Sequence, residues 1–200
     1  MFITLDGIDN AGKSTQIDLL KKYLESQGAS VVCFRDPGST KLGEAVREIL
    51  LHREDIPLAN TSEMLLYMAA RAQLVAEQLR PALASGATVI CDRFLLANVV
   101  YQGVAGGLAI DDLWAVGKCA TGGLIPDLTI VLDIDPEIAF NRMQRGPDRL
   151  EKRGIDYFKR VRNGFLEQIG NAGGPSLVVD ANRDIGAIHG DVVTFVDSNR

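Results

Sequence analysis

The stretch Phe2-Ile3-Thr4-Leu5-Asp6-Gly7-Ile8-Asp9-Asn10-Ala11-Gly12-Lys13-Ser14-Thr15 decides the fold. Phe2 to Leu5 is an apolar run of strand length, Gly7 to Ser14 satisfies the pattern G-x-x-x-x-G-K-[ST], and an amphipathic segment runs from Thr15 to Gln27. Strand, loop and helix in that order are the setting that a phosphate-binding loop requires. The glycines let backbone N–H groups turn inward on a phosphate chain at the positive end of the helix. Lys13 adds a mobile cation and Ser14 a hydroxyl for Mg²⁺. A nucleoside triphosphate is therefore the first expected ligand, cradled by the residues from Gly7 to Thr15.

The 200 residues are 46% hydrophobic and 24% charged, which suits one α/β domain with a continuous core and leaves little room for a second. A net charge of −5 gives no global support for a nucleic-acid or acidic-membrane partner and favours a small anionic ligand. Cys33, Cys91 and Cys119 are odd in number and widely spaced, which reads as reduced, packed thiols and implies no zinc. A basic leader is absent before the first apolar run, and no apolar run reaches about eighteen residues. The expectation is a soluble, cytoplasmic protein.

Apolar runs suited to buried parallel strands recur at Phe2 to Leu5, Val31 to Phe34, Thr88 to Cys91, Leu128 to Leu132 and Leu177 to Val179. Helical patterns separate them: up to Gly28, then Leu42 to Leu51, and a long one from Asn60 towards Ala84. Asn60 and Glu63 read as a capping box for the long helix, and Pro81 as a place to kink or shorten it. Further helices are expected at Asp111 to Ala120, Pro136 to Arg145, Ile155 to Ile169 and Ile185 to Val196, with Asp111, Asp135 and Asp184 as caps or first-turn acids. Alternating strands and helices predict a doubly wound, mostly parallel five-stranded sheet in a single domain spanning residues 1–200.

Three arginines fall where such a sheet opens its binding crevice: Arg35 past the second strand, Arg93 past the third, and Arg71 in the long helix between them. A triphosphate does not need so many, so a second, phosphorylated substrate is expected. Asp92, at a strand end beside the P-loop, can hold Mg²⁺ through water or order Arg93. Residues 146–154, G-P-D-R-L-E-K-R-G, read as a short basic lid. Its closure would exclude water and bring Arg145, Arg149 or Arg153 to charge developing on the transferred group.

The chain resembles the thymidylate kinase family over nearly its whole length. The resemblance rests on Gly7 to Gln16, Phe34-Arg35-Asp36-Pro37-Gly38, Arg71-Ala72-Gln73, Arg80-Pro81-Ala82-Leu83, Asp92-Arg93-Phe94, Tyr101-Gln102-Gly103 and Asp148-Arg149-Leu150-Glu151. It implies a P-loop kinase fold and the reaction of Mg²⁺-ATP with dTMP to give ADP and dTDP, a step towards dTTP. It also implies a homodimer formed through helices. Carried over by motif, Arg35 and Arg93 would grip the dTMP phosphate, Tyr67 would stack on thymine, and Arg71, Asn98 and Gln102 would meet the base edge. Tyr101 would press near the sugar 2′ position and Asp9 would contact the 3′-hydroxyl. Lys13, Asp92, Arg93, Arg149 and Arg153 would serve transfer, Arg145 would sit near adenine, and Ser14 and Asp92 would serve the metal.

Asp6, Asp36, Ser39 and Phe94 depart from the Glu, Glu, Gly and Tyr that the family often has. The two aspartates keep the charge but shorten the arm by one methylene, so contacts there must be remade or bridged by water. Asn10 replaces an arginine found in one branch of the family, and the basic lid resembles the bacterial arrangement that supplies that arginine instead. Another nucleotide kinase and a silent nucleotide-binding module remain alternatives. A GTP switch is disfavoured by the lack of an N-K-x-D motif.

Overall fold

The computed structural model describes residues 1–142 and 149–200. Strands β1 (Phe2–Asp6), β2 (Val31–Arg35), β3 (Thr88–Asp92), β4 (Leu128–Asp133) and β5 (Ser176–Asp180) form one sheet in the order β2-β3-β1-β4-β5, with every pairing parallel. This is the α/β P-loop kinase architecture expected from the sequence. Asp92 stands in register with Leu5 on one side and Arg35 on the other. The carboxyl ends of three strands therefore meet at one edge, where parallel sheets bind their ligands.

Helices α1 (Lys13–Ser26), α2 (Lys41–Leu51), α3 (Asn60–Leu74), α4 (Arg80–Ala84), α5 (Leu95–Asn98), α6 (Ile110–Thr121), α7 (Pro136–Asn141), α8 (Ile155–Gln168) and α9 (Ile185–Asp197) cover the sheet. The pleat of β1 divides the core. Ile3 and Leu5 pack with Ile17, Leu20 and Leu24 of α1 and Val192 and Val196 of α9, while Phe2 packs with Met64 and Met68 of α3 and Leu113 of α6. Thr40, Asp135 and Asp184 cap α2, α7 and α9 by accepting from the N–H groups of Gly43, Glu137 and Ala187. Cys91 is buried, whereas Cys33 and Cys119 are exposed, so only one of the three thiols is packed as expected.

Two local readings are corrected. The capping box at α3 does not form: Ala59 is the N-cap, Asn60 donates to the Gly106 carbonyl, and Glu63 is turned into the protein. Pro81 does not end the long helix. A π-helical turn at Val75–Leu79 sits between α3 and α4, with the Arg80 N–H donating to the Val75 carbonyl, and Pro81 falls in the first turn of α4, where a missing N–H costs least. Residues 95–104, for which no element was predicted, form α5 followed by a π-helical turn at Val99–Val104. The predicted helix from Pro136 to Arg145 ends at Asn141 within the described residues. Arg145 and residues 146–148 of the predicted lid lie outside them.

Candidate active site

Lys13 opens α1, and its Nζ donates to the carbonyls of Gly7 at 3.2 Å and Ile8 at 2.9 Å. Burial, with the nearby Arg93 adding repulsion, lowers its pKa against the pull of Asp92, Asp9 and Asp6. The N-terminus of α1 has Gly12 in the left-handed region at φ 96°, no capping side chain and no acid in its first turn. Its leading N–H groups are left for an anion. Gly7, at φ 132°, could not carry a side chain, since a Cβ there would lie 2.5 Å from the Leu132 carbonyl oxygen. Asp9, Asn10, Ser14, Thr15 and Arg142 join Lys13 in lining a cleft of about 450 Å³. Asp92 also lines this cleft, and its buried Oδ1 has no hydrogen-bond partner among the described residues. A free acceptor oxygen on a residue that lines the same cleft as Ser14 suits an outer-shell contact to Mg²⁺.

A second, tighter pocket of about 80 Å³ adjoins the first. It gathers Asp9, Tyr67, Arg71, Arg93, Asn98, Tyr101 and Gln102, seven of the residues predicted for the acceptor, and Leu150 helps to enclose it. Asn98, Tyr101 and Gln102 reach one pocket because they span α5 and the following π-helical turn. Arg93 lines both clefts. Its backbone is in the left-handed region at φ 69°, a cost of order 1–3 kcal/mol for a non-glycine residue that the surrounding structure must hold. Its guanidinium pairs with Asp9 at 2.8 Å and stands 4.9 Å over the Tyr101 ring. Burial works against this charge, but Asp9, Tyr101 and Asp92 hold its pKa above the usual arginine value.

The base side of the acceptor pocket is a chain of hydrogen bonds. Asp36 reaches Arg71 Nε directly at 2.6 Å, so the shortened arm has remade its contact without water. Burial pushes the Asp36 carboxyl up, against Arg71. Arg71 also donates to Asn98 Oδ1 at 2.9 Å and to the Phe94 carbonyl at 3.3 Å. Asn98 Nδ2 donates to Gln102 Oε1 at 2.7 Å, and Gln102 Nε2 donates to Glu63 Oε1 at 2.9 Å. An arginine can only donate and a carboxylate can only accept, so the two ends fix which way both amides point.

Arg35 departs from expectation. It is exposed, pairs with Glu44 at 3.0 Å and lines the P-loop cleft, not the acceptor pocket. Arg47, which the sequence reading passed over, lines both clefts and donates to the Pro37 carbonyl at 3.1 Å. It sits on α2, outside every motif that carries the family resemblance. Glu63 was missed because its spacing from Asn60 mimics a cap. Arg153 pairs with Glu63 Oε2 at 2.8 Å and Arg149 stands 3.9 Å from the same oxygen, so both face the acceptor side. A further cleft of about 850 Å³, between the sheet and α6, contains none of the predicted site residues.

A P-loop cleft that shares a partly buried arginine with a pocket of arginine, tyrosine and amides defines a P-loop kinase of the nucleoside monophosphate class. The sequence profile of the thymidylate kinase family matches residues 5–192. A thymidylate kinase of Rhodopirellula baltica is 49% identical over 183 residues, covering 92% of this chain and 74% of that one. A thymidylate kinase of Caldanaerobacter subterraneus subsp. tengcongensis is 43% identical over 197 residues, covering 98% and 94%. The chain belongs to the thymidylate kinase family.

Proposed function

We infer that this chain carries out its family's reaction, in-line transfer of the γ-phosphoryl group of ATP to the phosphate of dTMP, with the following division of labour. The loop from Gly7 to Thr15 and Lys13 hold the donor phosphates. Arg93 bridges acceptor and transferring phosphates, a role supported by the single observation that it lines both clefts. Arg47 assists on the acceptor phosphate, and Arg35 on the donor side. Tyr67 stacks on the pyrimidine, Arg71, Asn98 and Gln102 read its edge, and Asp9 and Tyr101 border the sugar.

The acceptor oxygen is already anionic, so positioning and charge neutralisation do most of the work and no strong general base is needed. Ser14 and Asp92 would hold Mg²⁺, which neutralises charge on the β- and γ-phosphoryl oxygens when bound with ATP. Arg149 and Arg153 act on ATP and the transition state, which requires them to leave Glu63. Arg145 near adenine belongs to the same proposal. So do a cytoplasmic location, to be checked by cell fractionation, and a homodimer, which the exposed Leu42 on α2 and Leu65 on α3 support and light scattering tests.

The test of the reaction is ADP release from Mg²⁺-ATP with dTMP, dUMP, dGMP and thymidine in parallel. Turnover on dTMP well above the others is expected. Equal turnover on dGMP would overturn the thymidylate assignment.

A further inference from the structure

Glu63 is almost fully buried, 2% exposed, yet each of its carboxylate oxygens has a different partner. Oε1 accepts from Gln102 Nε2 inside the acceptor pocket, and Oε2 pairs with Arg153 at 2.8 Å. Among the described residues its only cations are Arg153 and, at 3.9 Å, Arg149. A buried carboxylate stripped of its counter-charge is costly, so an arginine leaving Glu63 for another site does so against that cost.

We propose that Glu63 is the positioning residue that couples base recognition to the donor side of the reaction. One oxygen orients Gln102, and with it Asn98, while the other holds Arg153 in competition with ATP. The first half follows from donor and acceptor chemistry. Gln102 turns its Nε2 towards Glu63 because the carboxylate can only accept, and its Oε1 is thereby turned to Asn98. The second half follows from geometry. Arg153 is also steered by Tyr157, whose hydroxyl is 3.3 Å from Arg153 Nη1 and donates to the Tyr101 carbonyl at 2.9 Å. The arginine is thus held by a neighbour of the sugar-facing residue as well as by the carboxylate that orients the base reader. Glu63 itself lines neither cleft. It acts through Gln102 and Arg153.

This inference rests on the proposal that Arg153 serves ATP, and the experiment separates the two. Glu63→Gln keeps an oxygen for Gln102 and removes the charge that holds Arg153. Its KM for ATP is expected to fall by about fivefold to tenfold, within the usual range of coupling between sites, with the KM for dTMP changed by less than about threefold. Glu63→Ala removes the acceptor as well, so it should show the same fall in KM for ATP together with a rise of about tenfold in KM for dTMP. A merely structural glutamate would worsen both constants or neither.

Arg153→Ala completes a double-mutant cycle, and in that background Glu63→Gln should no longer alter the KM for ATP. If Arg153→Ala lowers turnover but Glu63→Gln leaves the KM for ATP unchanged or raised, the coupling is refuted. If Arg153→Ala changes neither turnover nor the KM for ATP, the assignment of Arg153 to ATP has failed, and the coupling fails with it. Should Glu63→Ala not fold, Glu63→Gln, which keeps the size and one acceptor, carries the cycle alone.

Discussion

Asp6 offers the sharpest test of how this fold holds charge. The residue is wholly buried at the end of β1, and neither of its carboxylate oxygens has a hydrogen-bond partner among the described residues. The nearby cations are engaged elsewhere, Lys13 on the Gly7 and Ile8 carbonyls and Arg93 on Asp9. Burial therefore dominates and raises the Asp6 pKa from 3.8 to about 7, against the pull of Arg93 and Lys13. In the unfolded chain the group ionises near its ordinary value, so the folded state binds the extra proton between the two. Stability is consequently lost as pH rises from about 4 to about 7 and stays low above that, by about 4 kcal/mol in all.

Asp6→Asn removes the ionisation and nearly keeps the shape, but it leaves an amide with unpaired groups that cost about 1–3 kcal/mol. The variant is expected to be about 1–3 kcal/mol more stable than the parent at pH 8 and no more stable at pH 5. The lower pH keeps Asp6 protonated in the folded parent. Urea denaturation of the metal-free protein at the two pH values measures the difference. A stability change that is the same at both pH values, or a destabilisation at pH 8, would mean that Asp6 is neutralised by a partner or that burial does not control its proton.

Arg93→Ala should lower turnover by about 10³-fold or more, and Arg93→Lys should restore it only in part, because lysine lacks the planar fork that can touch two phosphoryl oxygens. A folded alanine variant retaining more than about a tenth of parental turnover would sink the bridging role. Arg149→Ala should reduce turnover while the dTMP dissociation constant, measured by calorimetry, changes less than about threefold, since Gln102 keeps its Glu63 acceptor. Tyr67→Ala should weaken dTMP and dUMP together, as both rings present the same face. On the parent, dUMP should fall about 10-fold to 200-fold below dTMP in kcat/KM for want of one methyl group, and steady-state kinetics with both substrates check the pair of statements.

What could be read from the sequence follows the range of the forces involved. The phosphate loop was legible because most of its needs are local: Gly12 takes a left-handed backbone, and Lys13 follows at once and reaches back to the Gly7 and Ile8 carbonyls. Parallel strands show as short apolar runs for the same reason. Glu63 was misread because three residues after Asn60 is the spacing of a local cap, while its partners lie 39 and 90 positions away at Gln102 and Arg153. Those bonds exist only after the sheet has brought α3, the π-helical turn at Val99–Val104 and the 149–153 segment together. Arg35 erred in the opposite direction, since its place after a strand was read correctly but Glu44, on the next helix, draws the guanidinium towards the donor cleft.

The segment from Leu95 to Val104 hides itself differently. Its paired valines favour no helix, and packing against α6 and α8 overrides that weak preference. The π-helical turn it forms lets Asn98, Tyr101 and Gln102 share one pocket. The family resemblance named those three residues without explaining how they could meet. The explanation is a backbone one: a turn wider than an α-helix, with the Ala105 N–H donating to the Val100 carbonyl five residues back, re-aims the side chains that carry base recognition.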